Sequence, residues 1–241
     1  MLRPVTIPGL FITGTDTGVG KTIVAGAIAD WFKRRRFRVG VCKPAATGCV
    51  RRREGLVSED AEFLAHCADA DAPLDVVCPQ RFAEPLAPAI AAERAGKPLD
   101  WPAIDQALRE ITAQSDVLIV EGVGGIMVPM DAKHTVRDMA RWLGLSAVVV
   151  ARPGLGTINH TLLTVNALRE AKIPVAGVVI NRYPAEMPGI LEETNLRAVE
   201  KWGKASLLTV VPNDTLGELH LPPGIIAAIE RVDWHSLSLG E

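Results

Sequence analysis

The segment Gly14-Thr15-Asp16-Thr17-Gly18-Val19-Gly20-Lys21-Thr22 gathers the residue types that hold a triphosphate. Glycines let the backbone turn so that successive N–H groups face one anion, and a helix starting at the lysine aims its N-terminus at the same point. Lys21 can then reach the β- and γ-phosphates, and the Thr22 hydroxyl is placed to ligate Mg²⁺. The strict pattern requires glycine at position 15, where this chain has threonine. The alternative is a glycine turn capping an ordinary helix. The strand–loop–Gly-Lys-Thr–helix context favours the phosphate loop, and the absence of Gly-x-Gly-x-x-Gly disfavours a dinucleotide site.

Two carboxylates and a second lysine supply further chemistry. Mg²⁺ between phosphates takes hard oxygen ligands, so Thr22 with Asp60 and Glu121 makes a sensible shell. Glu121 ends an apolar run and precedes Gly122-Val123-Gly124-Gly125, where backbone is free to approach a ligand. Asp60, in Ser58-Glu59-Asp60 at a helix start, serves equally well to compensate the helix dipole, and both readings stay open. Lys43 precedes Pro44, which holds it extended and aimed out of the sheet end. A lysine there is commonly just solvated, but beside a phosphate loop it becomes a second cation for a transferring phosphoryl group.

These residues need a scaffold. Apolar runs at Leu10–Thr13, Val39–Lys43, Val117–Val120, Ala147–Ala151, Val175–Asn181 and Leu207–Val211 alternate with helical patterns. Helices are expected over Lys21–Arg35, Glu59–Cys67, Trp101–Gln114, Asn159–Ala171 and Pro188–Trp202, and one from Thr135-x-x-Asp138 to Gly144. Asp100 is the expected cap of the Trp101 helix, with Pro102 in its first turn. Continuous Val/Ile/Leu runs imply strands covered on both faces, hence an α/β, doubly wound, mostly parallel sheet of the P-loop type, as a single domain over 1–241. Ligands of such sheets bind beyond the carboxyl ends of the strands, which places the site at Thr13–Thr22, Lys43–Thr47, Glu121–Gly125, Arg152–Thr157, Asn181 and Pro212. Pro79–Pro98 is expected as an irregular loop, and the tail as one helix from Ile225 to about Trp234.

With 241 residues, 26 Lys plus Arg and 28 Asp plus Glu, the formal net charge is −2. An anion must therefore be held locally rather than by a basic whole-molecule field, which argues against a nucleic-acid partner. Lys33-Arg34-Arg35-Arg36 reads as a solvated face at a helix C-terminus, and Arg51-Arg52-Arg53 as a loop able to touch an anion. Cys42, Cys49, Cys67 and Cys78 form no C-x-x-C pair and read as reduced thiols, and no His spacing supports zinc. Met1–Leu10 lacks an apolar signal core and no apolar stretch reaches membrane-spanning length, so a soluble, cytoplasmic protein without a membrane partner is expected.

Five motifs in order resemble the dethiobiotin synthetase family. They are the phosphate loop from Thr13 to Thr22, Cys42-Lys43-Pro44-Ala45-Ala46-Thr47-Gly48, Glu84-Pro85-Leu86-Ala87-Pro88, Val120-Glu121-Gly122-Val123-Gly124-Gly125, and Gly154-Leu155-Gly156-Thr157-Ile158-Asn159-His160. The resemblance implies a homodimer that uses MgATP and CO₂ (or bicarbonate) to close a cyclic urea on 7,8-diaminononanoate, through a carbamate and a carbamic-phosphoric anhydride. It implies nucleotide contacts from Thr17, Gly18, Val19, Gly20, Lys21, Thr22, Ile23, Asp60, Glu121, Gly122, Val123 and Gly124. Asn181 would recognise adenine, with Val211, Pro212 and Asn213 alongside. Mg²⁺ would fall to Thr22, Asp60 and Glu121, catalysis to Lys21 and Lys43, and the diamine to Lys43 and Thr47. Gly156, Thr157 and Asn159 of a partner subunit would receive the substrate carboxylate. Gly18, Arg182 and Asn213 depart from residues frequent in the family, which bears on base selectivity. Two other P-loop classes are alternatives. A partition-type ATPase carries a signature lysine where this chain has Asp16, and a cobyrinate-type amidotransferase needs a glutaminase half that is not evident.

Overall fold

The computed structural model describes residues 1–53, 55–184, 186–214 and 219–240. Six strands form the central sheet: β1 (Gly9–Gly14), β2 (Val39–Cys42), β3 (Val117–Gly125), β4 (Ser146–Ala151), β5 (Val175–Tyr183) and β6 (Leu207–Pro212). Their order is β6-β5-β4-β1-β3-β2 and every neighbouring pair is parallel, so all six carboxyl ends share one edge. The main helices are α1 (Lys21–Arg34), α2 (Glu59–Ala68), α3 (Trp101–Gln114), α4 (Val136–Leu143), α5 (Thr157–Glu170), α6 (Ile190–Gly203), α7 (Pro223–Ile229) and α8 (Trp234–Leu239).

Strand alternation divides the core in two. Leu10, Ile12, Val41, Ile119, Val148 and Val150 pack with Val24, Ile28 and Phe32 of α1 and with Trp234 of α8. Phe11, Leu118, Val120, Ala147 and Val149 face the other way, onto Ile104 of α3, Met139 of α4 and Val165 of α5. The doubly wound sheet expected from continuous apolar runs is present for this reason: both faces are covered.

Several boundaries differ from expectation. β3 continues through Gly125 rather than stopping at Val120, because glycines let it follow β1 across a register shift to the Gly14–Gly125 pair. β5 reaches Tyr183, held there by its pairing with Pro212. α5 starts at Thr157, not Asn159, because Gly156 turns left-handed at φ 91° as its cap. Pro79–Pro98 is not an irregular loop throughout: Gln80–Arg81 pairs with Ala45–Ala46, and Pro88 opens a helical segment to Arg94. A hairpin of Val50–Arg52 and Gly55–Val57 lies outside the expected elements.

The tail forms two helices rather than one. Asp233 breaks the run by capping α8, its carboxylate accepting from His235 N and Ser236 N. The tail also enters the core, where Trp234 is fully buried and donates from Nε1 to Ile229 O at 2.9 Å. Glu230 pairs with Arg34 at 2.6 Å and Arg35 at 2.7 Å, so that part of the basic run is tied to the tail rather than simply solvated. All four cysteines are free and buried. Among the described residues no helix is long and apolar enough to cross a membrane. Trp234→Ala is expected to lower stability by about 3–5 kcal/mol in denaturant unfolding, as for a large aromatic removed from a packed core. A loss under about 1 kcal/mol would mean that the tail is an appendage.

Candidate functional site

At the carboxyl edge, β1 hands over to the glycine loop. Thr15 N donates to Val150 O at 2.9 Å, pinning the loop to β4. Gly18 and Gly20 adopt φ of 73° and 89°, a region that disfavours any side chain. Lys21 is buried, and its ammonium donates to Asp16 O at 3.0 Å, across the mouth of the loop. Burial lowers its pKa below the usual lysine value, and Glu121 offsets this only in part.

Alternation explains how Lys43 and Glu121 meet. Val41 and Ile119 belong to the α1 face of the sheet, so Lys43 and Glu121, two residues further on each strand, emerge on that same face. Lys43 Nζ lies 2.7 Å from Glu121 Oε1 and 2.7 Å from Asp60 Oδ2. Thr22 Oγ1, in the first turn of α1, donates to Glu121 Oε1 at 2.9 Å. Asp60 arrives from the first turn of α2, where Ser58 Oγ accepts from Ala61 N and fixes the helix start. Asp60 thus sits in the first turn of α2, where it compensates the helix dipole, and pairs with the lysine from there. Lys43 is thus not aimed into solvent but turned onto two carboxylates.

Burial opposes the charge on Lys43, but Glu121 and Asp60 outweigh it and hold its pKa above the ordinary lysine value. Burial likewise acts on Asp60, and Lys43 overcomes it to leave the carboxyl below its usual range. Glu121 is pushed up by burial against the pull of Lys43. Its side chain is 1% exposed while that of Asp60 is 51% exposed, so the cluster is closed at the sheet and open at α2.

A cavity of about 840 Å³ opens over this cluster. Of the residues expected at the site, Thr17, Gly18, Gly20, Lys21, Thr22, Ile23, Lys43, Thr47, Asp60, Glu121, Val123 and Gly124 line it. Others do not. Val19 is buried, and Gly122 turns towards Phe11 and Val136. Asn181 is buried and donates from Nδ2 to Val19 O. Val211 is buried at the end of β6, and Asn213 N donates to Tyr183 O. Gly156, Thr157 and Asn159 sit at the start of α5, outside the cavity wall, and the Thr157 N–H is committed to Gly154 O at 3.2 Å. Sequence reasoning missed Glu59, Glu62, Phe63 and Leu219 in the wall, gave Arg52 no specific place, and named Arg182 only for its bearing on base selectivity. Arg52 stands on the short hairpin and forks onto Glu62 at 2.6 and 2.9 Å. The glycine at 55, with φ 122°, was the available signal for that turn.

The donor set suits a hard divalent cation: one hydroxyl and two carboxylates on a single wall of the cavity. Glu121 Oε2 is buried without a hydrogen-bond partner among the described residues. No group of three or more His, Cys, Asp or Glu that could hold a metal ion occurs among the described residues.

A parallel sheet, a glycine loop opening onto α1 and a lysine–carboxylate cluster at the strand ends define a P-loop nucleoside-triphosphate protein. Residues 8–218 match a protein-family profile described as an AAA domain. In fold the chain is similar to the MinC:MinD cell division protein complex of Aquifex aeolicus, with TM-score 0.54 and 15% identity over 86% of this chain and 82% of that one. It is also similar to chloroplast FtsY from Physcomitrella patens, with TM-score 0.51 and 18% identity over 100% of this chain and 66% of that one. These likenesses show the fold alone. In sequence it is 44% identical over 183 residues to the ATP-dependent dethiobiotin synthetase BioD of Anaeromyxobacter dehalogenans (76% of this chain, 80% of that one). To the proteins of that name from Thermodesulfovibrio yellowstonii and Methanocaldococcus jannaschii it is 38% identical, over 87% and 84% of this chain and 93% and 92% of theirs. The chain belongs to the ATP-dependent dethiobiotin synthetase family.

Lys43→Met removes the cation in contact with buried Glu121 and is expected to lower stability by about 3–5 kcal/mol at pH 8. Burial raises the folded-state pKa of Glu121, so the folded protein takes up that proton first and stability recovers as pH falls towards the unfolded value. Urea unfolding at pH 8 and pH 5.5 should show the deficit shrinking at the lower pH. An equal deficit at both would contradict the charged pair.

Proposed function

We propose that the chain converts 7,8-diaminononanoate, CO₂ and ATP to dethiobiotin, ADP and phosphate. The observation that carries this reading is buried Lys43, clamped by Glu121 and Asp60 beside the Gly-Lys-Thr loop. Membership of the dethiobiotin synthetase family supplies the substrate class. One amine of the diamine adds to CO₂ and loses a proton to give a carbamate. A carbamate oxygen attacks the γ-phosphorus of ATP and ADP leaves. The second amine then attacks the carbamoyl carbon, the ring closes and phosphate leaves. Holding both amines in one cavity makes the last step effectively intramolecular.

Lys21 and the amides of Thr17–Thr22 bind the triphosphate, and Ile23, Gly122, Val123 and Gly124 complete the contacts around it. Thr22, Asp60 and Glu121 would hold Mg²⁺, which neutralises phosphate charge when bound. Lys21 and Lys43 screen the repulsion between carbamate and phosphate, and the same positive charge lowers the pKa of the diamine and favours its free-base form. Thr47 and Lys43 face the diamine. The base would fall to Asn181, with Val211, Pro212 and Asn213 alongside.

A homodimer supports the substrate carboxylate, which Gly156, Thr157 and Asn159 of one subunit would present to the cavity of the other. First-turn amides of α5 favour an anion, and Thr157 Oγ1 is buried without a partner among the described residues. Leu155, Leu163, Met187 and Ile190 are exposed on α5, α6 and the segments that precede them, an apolar surface suited to a second copy. The near-zero net charge favours a protein with no nucleic-acid partner, and cysteines without a disulfide pattern favour the cytoplasm.

ATP hydrolysis is expected to rise with diaminononanoate plus bicarbonate and not with DNA or glutamine. Absence of diamine stimulation would sink this reading. Lys43→Ala should lower kcat by about a hundredfold or more, and turnover within about threefold of wild type would remove Lys43 from the transition state.

A further inference from the structure

We propose that Asn181 is a positioning residue for phosphoryl transfer: its side-chain amide fixes the Val19–Gly20 peptide so that the Gly20 N–H faces the triphosphate. The inference rests on reading the glycine loop as an ATP site. Asn181 stands near the end of β5, two strands away from β1, and is 1% exposed. Its Nδ2 donates to Val19 O at 2.9 Å, a brace reaching across β4 to the loop that follows β1. The Val19–Gly20 peptide is trans, as are all those described, so its N–H points opposite to the carbonyl that Asn181 holds. Gly20 lines the cavity, whereas Val19 and Asn181 do not. The held carbonyl therefore faces the protein and the N–H faces the ligand.

Gly20 is matched to this brace. Its φ is 89°, and a Cβ built on it would fall on Asn181 Nδ2. Its own carbonyl accepts from Val24 N at 3.2 Å, the first bond of α1. The residue is thus held from both sides, by β5 through Asn181 and by the helix. A donor fixed before the ligand arrives needs no reorganisation as charge builds on the phosphate.

The test compares ATP with inorganic tripolyphosphate, which has no base. Binding of each to wild type, Asn181→Ala and Asn181→Asp is measured by calorimetry, below the unfolding temperature of every variant. Both variants should lose tripolyphosphate affinity by about tenfold or more, the size of one charge-assisted hydrogen bond. Asn181→Asp should be at least as weak as Asn181→Ala, because a carboxylate would face the Val19 carbonyl. Loss of affinity for a ligand that has no base is the readout that separates this role from base recognition. Tripolyphosphate affinity unchanged while ATP affinity falls would overturn the proposal in favour of base reading. A wild type that does not bind tripolyphosphate overturns it as well. Failure of diamine stimulation with the tripolyphosphate loss intact would count against the reaction alone.

Discussion

The site depends on keeping one ammonium between a buried carboxylate and a half-exposed one. Lys43 and Glu121 are buried at the ends of adjacent strands, and either charge left alone there would be strongly unfavourable. Three elements satisfy this constraint together. The parallel pairing of β2 and β3 sets Lys43 and Glu121 side by side. The first turn of α1 brings the Thr22 hydroxyl to Glu121. The capped start of α2 brings Asp60 to the open side of Lys43. Buried Lys21 stands in the field of the same carboxylates, so two cations and two carboxylates face one cavity.

This arrangement also explains how a chain with net charge −2 can hold a triphosphate. Positive potential comes from buried Lys21, from backbone amides of a glycine loop and from a helix N-terminus, all acting over a few ångströms. Part of the basic run is occupied elsewhere: Arg34 and Arg35 bind Glu230 of the tail, and Arg38 binds Asp116.

What was legible in the sequence was chemistry that acts within a few residues. Asp100 caps α3 with Pro102 in its first turn, and Thr135 with Asp138 forms the capping box that starts α4, both as their spacing implied. Lys43 and Glu121 were legible because a polar residue ending an apolar strand stands out. Features set by distant partners were not. Gln80–Arg81 becomes a strand only through Ala45–Ala46, β5 gains its last residues from β6, and Arg52 reaches the cavity wall through a hairpin. Asn181 marked the end of an apolar run, yet its contact with Val19 O depends on the distance between two non-adjacent strands, which spacing along the chain does not encode.

The central claim is that Lys43 neutralises a carboxylate pair otherwise suited to a divalent cation. Titration of Mn²⁺ alone, without nucleotide, into folded wild type and Lys43→Met followed by electron paramagnetic resonance tests it most directly. Freed of their internal counter-ion, Asp60 and Glu121 should bind Mn²⁺ at least about tenfold more tightly in the variant, a difference of about 1.4 kcal/mol. Equal or weaker binding by Lys43→Met would contradict the account.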